Sequence, residues 1–183
     1  FFIDICRNFK RMKIVLLGYM ASGKSTIGVL LSKQLSMPFI DLDAHIESKE
    51  KSTINAIFKE KGEIYFRKIE HAYLTELLNS EERFILSLGG GTPCYANNME
   101  YILKARQTTS FYLQASIALL VERLIKGKEN RPLVKEIGDE KLEEYVAKHL
   151  FERRFFYDQA HHKITTDQKE TLEIVSAIQK KLH

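Results

Sequence analysis

Cysteine is scarce in this sequence of 183 residues: it occurs twice, at Cys6 and Cys94, and tryptophan is absent. The two cysteines stand far apart, without a C-x-x-C pair or a cysteine and histidine spacing typical of metal ligands. Neither a disulfide framework nor a zinc site is therefore indicated. Long apolar runs are also lacking, and the apolar stretch within residues 1–11 is too short for a signal peptide or a membrane span. We expect a soluble protein of a reducing, cytoplasmic compartment, without a membrane partner.

A strong excess of one charge is missing as well. The 28 lysines and arginines are nearly balanced by 24 aspartates and glutamates, which leaves a formal net charge of +4. The basic residues are spread out instead of grouped, so the pattern gives little support to nucleic-acid binding, whereas small anionic ligands fit it equally well.

Length and composition limit the number of domains. With 44% hydrophobic and 10% aromatic residues, the chain can bury one sizeable core and is short for two. We expect a single domain over residues 12–183. Residues 1–11 are predicted to form an N-terminal extension outside this fold, without a function of their own.

Strand and helix patterns alternate along the chain. Apolar and β-branched runs predict five strands, at residues 13–17, 38–43, 83–88, 108–115 and 162–167. Helical patterns fill most of the intervals, with one break at Gly62, and this alternation predicts an α/β fold in which helices cover both faces of a parallel sheet. Residues 125–140 have glycine, proline and mixed charge with little periodicity, which favours a mobile surface loop.

In such a sheet, ligands bind beyond the carboxyl ends of the strands. The stretch from Gly18 to Ser25, GYMASGKS, follows the first strand and matches G-x-x-x-x-G-K-[ST] at every fixed position. Its backbone N–H groups and the helix N-terminus can bind an anion, Lys24 adds a positive charge for the β- and γ-phosphates, and the Ser25 hydroxyl can ligate Mg²⁺. A tight connection without function is the alternative. The strand before the loop and the helix after it favour ATP or GTP binding.

Two aspartates follow the second strand. If this strand continues through Asp41 and Asp43, their carboxylates share a face and repel a bound triphosphate unless a cation lies between them. One aspartate is then predicted to serve Mg²⁺, and the other to accept a hydrogen bond from a hydroxyl that attacks the γ-phosphate. A simple N-cap role for Asp43 explains its presence equally well.

Arg67 is predicted to lie opposite the buried side of its helix. It is about 200° around the helix from Tyr65, which belongs to an apolar stripe with Ile69, Ala72 and Tyr73. A solvated face is the usual explanation of such an arginine.

Arg153, by contrast, is in register with an apolar stripe that runs from Leu142 to Leu150, so it needs an acceptor or must reach out to solvent. Arg154 is turned about 100° away, which makes Arg153 the better candidate for a ligand contact. Arg131 lies in the loop at 125–140, where it either closes over phosphates as part of a lid or is an ordinary loop charge.

Taken together, the motifs GYMASGKSTIG, DLD, FR within a helix, LSLGGG, RPL and ERRFFY resemble the shikimate kinase family in order and approximate spacing, from Lys13 onward. The resemblance implies a P-loop kinase three-layer sandwich with a five-stranded parallel sheet of order 2-3-1-4-5 and a mobile lid at about 125–138. It also implies a monomer that uses Mg²⁺ to transfer the γ-phosphate of ATP to the 3-hydroxyl of shikimate, in chorismate and aromatic amino acid biosynthesis.

The resemblance also implies roles for individual residues. ATP would be bound by Ala21, Ser22, Gly23, Lys24, Ser25, Thr26 and Arg131. Mg²⁺ would be held by Ser25 and, through water, by Asp41. Shikimate would be bound by Asp43, Arg67, Gly90, Gly91 and Arg153. The catalytic residues would be Lys24, Asp43 and Arg131.

The sequence departs from the family pattern at two motifs. Ala21 stands where many members have glycine, a change expected to matter little because alanine is also small. RRFFY replaces the commoner R-x-P-L-Y, which leaves Arg154 as an alternative to Arg153. No adenine contact is assigned to Arg123.

Two other functions compete with this interpretation. A small kinase for gluconate or a nucleoside monophosphate would share the phosphate loop and the sheet, but it would not need DLD, FR and the triple glycine together. A GTPase-type nucleotide switch would carry an N-K-x-D segment, which the sequence lacks.

Overall fold

Five parallel strands form the centre of the computed structural model, which describes residues 12–130 and 132–182. Their bounds are Lys13–Leu17 for β1, Phe39–Asp41 for β2, Phe84–Ser87 for β3, Thr108–Gln114 for β4 and His162–Thr165 for β5. The sheet has the order β2-β3-β1-β4-β5 with every pairing parallel, so the predicted order is confirmed. The predicted extension at 1–11 and Arg131 lie outside the described residues.

Eight α-helices connect and follow these strands in the described ranges. They are α1 Lys24–Leu35, α2 Leu42–Glu50, α3 Ile54–Asn79, α4 Asn98–Lys104, α5 Ile117–Lys126, α6 Pro132–Ile137, α7 Asp139–Tyr157 and α8 Thr171–Gln179. Two 3₁₀ turns lie at Thr92–Cys94 and Lys128–Asn130. Within these ranges, none of the helices combines the length and the apolar character needed to cross a membrane.

The core has two layers because successive side chains of a strand point to opposite faces. On β1, Val15 and Leu17 belong to one apolar cluster, which packs mainly against α3, α4, α5 and α7. Ile14 and Leu16 belong to the other cluster, which packs against α1 and α8. The sheet is therefore covered on both faces, as the continuously apolar β1 predicts.

Some predicted boundaries differ from those observed. β2 ends at Asp41 instead of 43, because the Asp41 side chain caps α2 and turns the chain there. The segment at 125–140, predicted as an irregular loop, contains a 3₁₀ turn and the helix α6. α4 was not predicted, because seven residues give too few turns for a clear period. The predicted break at Gly62 is confirmed, since this residue has φ +79° within α3.

The apolar stripe predicted for α3 is confirmed only in part: Tyr65, Ile69 and Tyr73 are half-buried and pack against the core, whereas Ala72 is exposed. The most deeply buried residues of this part of α3 are Phe66, Glu70, Leu74 and Leu78, spaced four apart. The carboxylate of Glu70 interrupts the apolar pattern of these buried positions. The neighbouring row of residues through Tyr65 is only partly buried, but it is more apolar in sequence and was therefore predicted instead.

Candidate active site

The loop between β1 and α1 has the backbone of an anion-binding turn. Gly18 has φ +142° and Gly23 has φ +99°, and an added Cβ at Gly18 would lie 2.8 Å from the carbonyl oxygen of Leu113. Ala21 also has a positive φ, +63°. For a residue with a Cβ, this left-handed conformation costs about 1 kcal/mol more than for glycine. The expectation that alanine matters little here considered only side-chain size and overlooked this backbone cost.

A cavity of about 400 Å³ opens in front of this loop. It is lined by Ala21, Ser22, Gly23, Lys24, Ser25, Thr26, Ile27, Arg123, Lys169, Thr171 and Ile174. All six loop residues predicted to bind ATP thus border one cavity. Lys169, Thr171 and Ile174 carry no motif, and they reach the cavity only because β5 lies at the β4 edge of the sheet.

Lys24 is buried at the base of this loop. Its ammonium group donates hydrogen bonds of 2.9 Å to the carbonyl oxygens of Gly18 and Tyr19. Burial lowers its pKa from 10.5 to about 8, although the carboxylates of Asp43 and Asp41 oppose the shift. Because this ammonium group is shielded from water, a bound phosphate would stabilise its charged form.

Asp41 joins the phosphate loop to the start of α2. Its Oδ1 accepts the backbone N–H groups of Asp43 and Ala44, at 3.1 and 3.3 Å, so the helix cap is Asp41 and the capping alternative for Asp43 is wrong. Its Oδ2 accepts the Ser25 hydroxyl at 3.3 Å. The idea that both aspartates share one face of a strand is also wrong, since only Asp41 belongs to β2.

Asp43 lies in the first turn of α2 with its carboxyl group turned into the protein. Burial raises its pKa from 3.8 to about 6, with further increases from the charges of Asp41 and Glu70, and Lys24 acts in the opposite direction. An added Cβ on Gly89 would lie 3.0 Å from its Oδ1. Asp43 therefore sits between the phosphate loop and the turn after β3.

The donor atoms near Ser25 fit Mg²⁺ carried by a nucleotide. Ser25 Oγ and Asp41 Oδ2 are hard oxygen ligands that already contact each other. Among the described residues, no group of three or more His, Cys, Asp or Glu side chains could hold a metal without other ligands. Mg²⁺ typically takes one or two protein oxygens and completes its shell with water and phosphate oxygens, which this pair of ligands allows.

The glycines after β3 make room for two guanidinium groups. An added Cβ at Gly90 would lie 3.6 Å from Nη1 of Arg153, and one at Gly91 only 2.9 Å from Nη2 of Arg67. Arg67 and Arg153, from α3 and α7, thus meet at the same turn. Sequence reasoning singled out both but gave no contact between them.

Arg67 is not on a solvated face, so that expectation is wrong. Its side chain is 18% exposed, its Nη1 lies 2.8 Å from Glu70 Oε2, and its guanidinium stacks 4.0 Å from the centre of the Tyr95 ring. Glu63 lies 3.4 Å from its Nε. Glu70, which is 1% exposed, was missed; its i, i+3 spacing from Arg67 is the available signal.

Arg153 and Arg154 point in different directions, as the helical register predicts. Arg153 is half-buried, with its guanidinium 5.7 Å from the centre of the Tyr19 ring. Arg154 is exposed and donates from Nε to Asp158 at 3.1 Å. Of these two arginines, only Arg153 reaches the glycine turn.

Arg123 also lines the cavity in front of the phosphate loop, although no adenine contact was assigned to it from the sequence. Its Nη1 donates to the carbonyl oxygen of Ala21 at 3.2 Å. The predicted lid residue Arg131 lies outside the described part of the chain.

The chain has the architecture of a P-loop kinase. A glycine-containing loop with Lys24 and Ser25 joins a strand to a helix, and the strand belongs to a parallel sheet of order 2-3-1-4-5. The family model described as shikimate kinase matches residues 20–183. The chain belongs to the shikimate kinase family, and both the predicted family and the predicted fold are confirmed.

Individual relatives agree with this assignment. A shikimate kinase of Flavobacterium psychrophilum is 51% identical over 168 residues, which cover 92% of this chain and 97% of the relative. The crystal structure of shikimate kinase from Bacteroides thetaiotaomicron is similar with a TM-score of 0.86 at 32% identity, over 93% of this chain and 98% of that chain. Shikimate kinase from Acinetobacter baumannii in complex with shikimate has a TM-score of 0.82 at 32% identity, over 95% and 94%.

Proposed function

We propose that this protein transfers the γ-phosphate of ATP to the 3-hydroxyl of shikimate, a step toward chorismate and the aromatic amino acids. The observation that carries the proposal is the meeting of Lys24, Asp43, Arg67 and Arg153 at one edge of the sheet. Membership of the shikimate kinase family supports the same substrate pair.

ATP occupies the cavity in front of the phosphate loop in this proposal. The backbone N–H groups from Ala21 to Thr26 bind the phosphates, and Lys24 leaves its two carbonyl partners for the β- and γ-phosphates. Ser25 would hold Mg²⁺ directly and Asp41 would hold it through water. When bound, Mg²⁺ neutralises charge on the β- and γ-phosphates. The family resemblance implies that Arg131, which lies outside the described residues, also binds these phosphates.

Shikimate lies on the other side of Asp43. Its carboxylate is held by Arg67 and Arg153, because a planar guanidinium can form two parallel hydrogen bonds to a carboxylate. Gly90 and Gly91 leave space for this contact. The Asp43 carboxylate accepts the proton of the 3-hydroxyl as the oxygen–phosphorus bond forms and the bond to the leaving ADP breaks.

An assay of ADP release with different acceptors tests the proposal. With Mg²⁺ and ATP present, shikimate should stimulate ADP release and yield a phosphorylated product, whereas gluconate and nucleoside monophosphates should not. Stimulation by one of these other acceptors, and not by shikimate, would show that the protein is a different small-molecule kinase.

We further propose that the protein is a cytoplasmic monomer without nucleic-acid or membrane partners.

Lysine substitutions should separate the two carboxylate ligands from ordinary surface charge. Arg67→Lys and Arg153→Lys should each weaken shikimate binding by about 1.5–3 kcal/mol, the typical contribution of a hydrogen bond to a charged group, because lysine keeps the charge but not the paired geometry. ATP affinity should stay close to the wild-type value. Calorimetric titration with shikimate, and separately with nucleotide, measures both.

Arg154→Lys is the matched control for these variants. It changes the next residue on the same helix, but Arg154 is exposed and paired with Asp158. Its shikimate affinity should therefore match the wild type. A larger loss of shikimate affinity in Arg154→Lys than in Arg153→Lys would show that Arg154, and not Arg153, contacts the carboxylate.

Gly91→Ala should raise the KM for shikimate about tenfold, because small misplacements of a binding group reduce catalysis strongly. Gly91 has φ −87° and ψ −22°, which alanine adopts without strain, so the effect comes from the new Cβ pressing on Arg67. The KM for ATP serves as the internal control. Unchanged kinetics for both substrates would contradict the position assigned to Arg67.

A further inference from the structure

The turn at residues 89–92 lies next to both guanidinium groups of the site. On one side, Thr92 Oγ1 donates a 2.6 Å hydrogen bond to Glu70 Oε1, and the other oxygen of Glu70 accepts from Arg67 Nη1 at 2.8 Å. Thr92 and Glu70 are both fully buried. A single hydroxyl therefore connects the turn to Arg67 through one carboxylate.

Thr92 is itself held in place by a second bond. Its carbonyl oxygen accepts from Asn98 Nδ2 at 2.8 Å, and Asn98 Oδ1 lies 2.7 Å from His71 Nδ1. Because the amide nitrogen of Asn98 is the donor to Thr92, its oxygen is the acceptor, and His71 donates. These bonds hold the backbone of Thr92 in the turn from which its hydroxyl reaches Glu70.

Tyr157 forms the corresponding connection on the other side. Its hydroxyl donates to the carbonyl oxygen of Gly90, the residue whose added Cβ would lie 3.6 Å from Nη1 of Arg153. The Tyr157 ring is completely buried and packs 5.2 Å from the Tyr112 ring. The Tyr157 hydroxyl, from the end of α7, therefore holds the part of the turn that Arg153 approaches.

We propose that the hydroxyl groups of Thr92 and Tyr157 are positioning groups that set the spacing of Arg67 and Arg153, with the turn at residues 89–92 as their common anchor. The inference rests on the proposed function, since the spacing matters only if both arginines bind one anionic substrate. A free arginine side chain has many rotamers, and holding it in its binding position beforehand strengthens binding.

Removal of each hydroxyl with little change in shape tests the inference. Thr92→Val and Tyr157→Phe should each raise the KM for shikimate about tenfold. In the first variant Glu70 loses a buried partner, and in the second the Gly90 carbonyl beside Arg153 loses its donor, so the nearby guanidinium shifts. The KM for ATP should stay within about twofold of the wild type. Thr92→Ser, which keeps the hydroxyl, should restore the wild-type KM for shikimate.

Thr108→Val is the matched control for a buried threonine hydroxyl. Thr108 lies at the opposite, amino-terminal end of β4, where its hydroxyl donates to the carbonyl oxygen of Arg106 at 3.2 Å. This variant should lose stability without a change in either KM. Tyr157→Phe decides the question by itself if Thr92→Val does not fold.

The outcomes separate the two levels of the argument. A wild-type protein that phosphorylates shikimate, together with folded Thr92→Val and Tyr157→Phe variants of unchanged shikimate KM, overturns the positioning inference alone. A wild-type protein that gives no phosphorylated shikimate overturns the proposed function and, with it, the role assigned to the spacing.

Discussion

Replacement of Lys24 by methionine should lower kcat at least about 10²- to 10³-fold, the usual effect of removing one fixed electrostatic contact to a transition state. Lys24 is the cation that the phosphate loop itself provides, and its ammonium group lies within the loop. The fold should survive. Because burial lowers the pKa of Lys24 to about 8, the charged form is disfavoured by its surroundings, and its loss does not remove a large stabilising interaction. Steady-state kinetics and a thermal melt measure the two effects.

Lys33→Met provides the control on the same helix. Lys33 is exposed in the last turn of α1, away from the cavity, so this variant should keep the wild-type kcat. A folded Lys24→Met variant with nearly wild-type turnover would refute the assignment of the phosphate loop.

The sequence predicts best what is encoded in contiguous residues. The phosphate loop has its glycines, lysine and serine within eight positions, and the strand and helix around it are equally clear. Arg153 was also oriented correctly, because α7 runs without a break from Asp139 to Tyr157 and Leu142 and Val146 mark its buried side. The register of a continuous helix can be extended over several turns from apolar residues.

Long-range and polar features were not predictable in the same way. Glu70 is buried because Arg67 and Thr92 satisfy it, and neither partner makes it look like a core residue in the sequence. Lys169 reaches the cavity through the sheet order and not through a local pattern. The helix cap is Asp41 and not Asp43, which the sequence analysis had considered. Element boundaries are the least predictable feature of a sequence, and here a shift of two residues changes the role of both side chains.

Asp43→Asn should lower kcat about 10²- to 10⁴-fold, the range for loss of a general base. The amide can occupy the same space but cannot take a proton from the attacking hydroxyl. In the wild type, burial raises the pKa of Asp43 to about 6, so kcat/KM should fall as the pH drops below 6 and the carboxylate is protonated. The asparagine variant should lack this acid limb in a pH profile of its residual activity. Normal turnover in the variant would show that Asp43 is not the base.

The same substitution should stabilise the fold while it reduces activity. Since the pKa of Asp43 is raised from 3.8 to about 6, its ionised form destabilises the folded state; this effect is absent below pH 3.8 and complete above about pH 6. A pKa raised from 3.8 to about 6 corresponds to at most about 3 kcal/mol. The melting temperature of Asp43→Asn should therefore exceed that of the wild type at pH 8 and approach it at pH 4. Asp158→Asn is the control of opposite sign: hydrogen bonds from Lys163 and Arg154 lower the pKa of Asp158 despite its partial burial, so this variant should be slightly less stable at pH 8 and fully active. A melting temperature for Asp43→Asn below that of the wild type at pH 8 would mean that the ionised carboxylate stabilises the fold, and a structural role would then explain Asp43 better than a catalytic one.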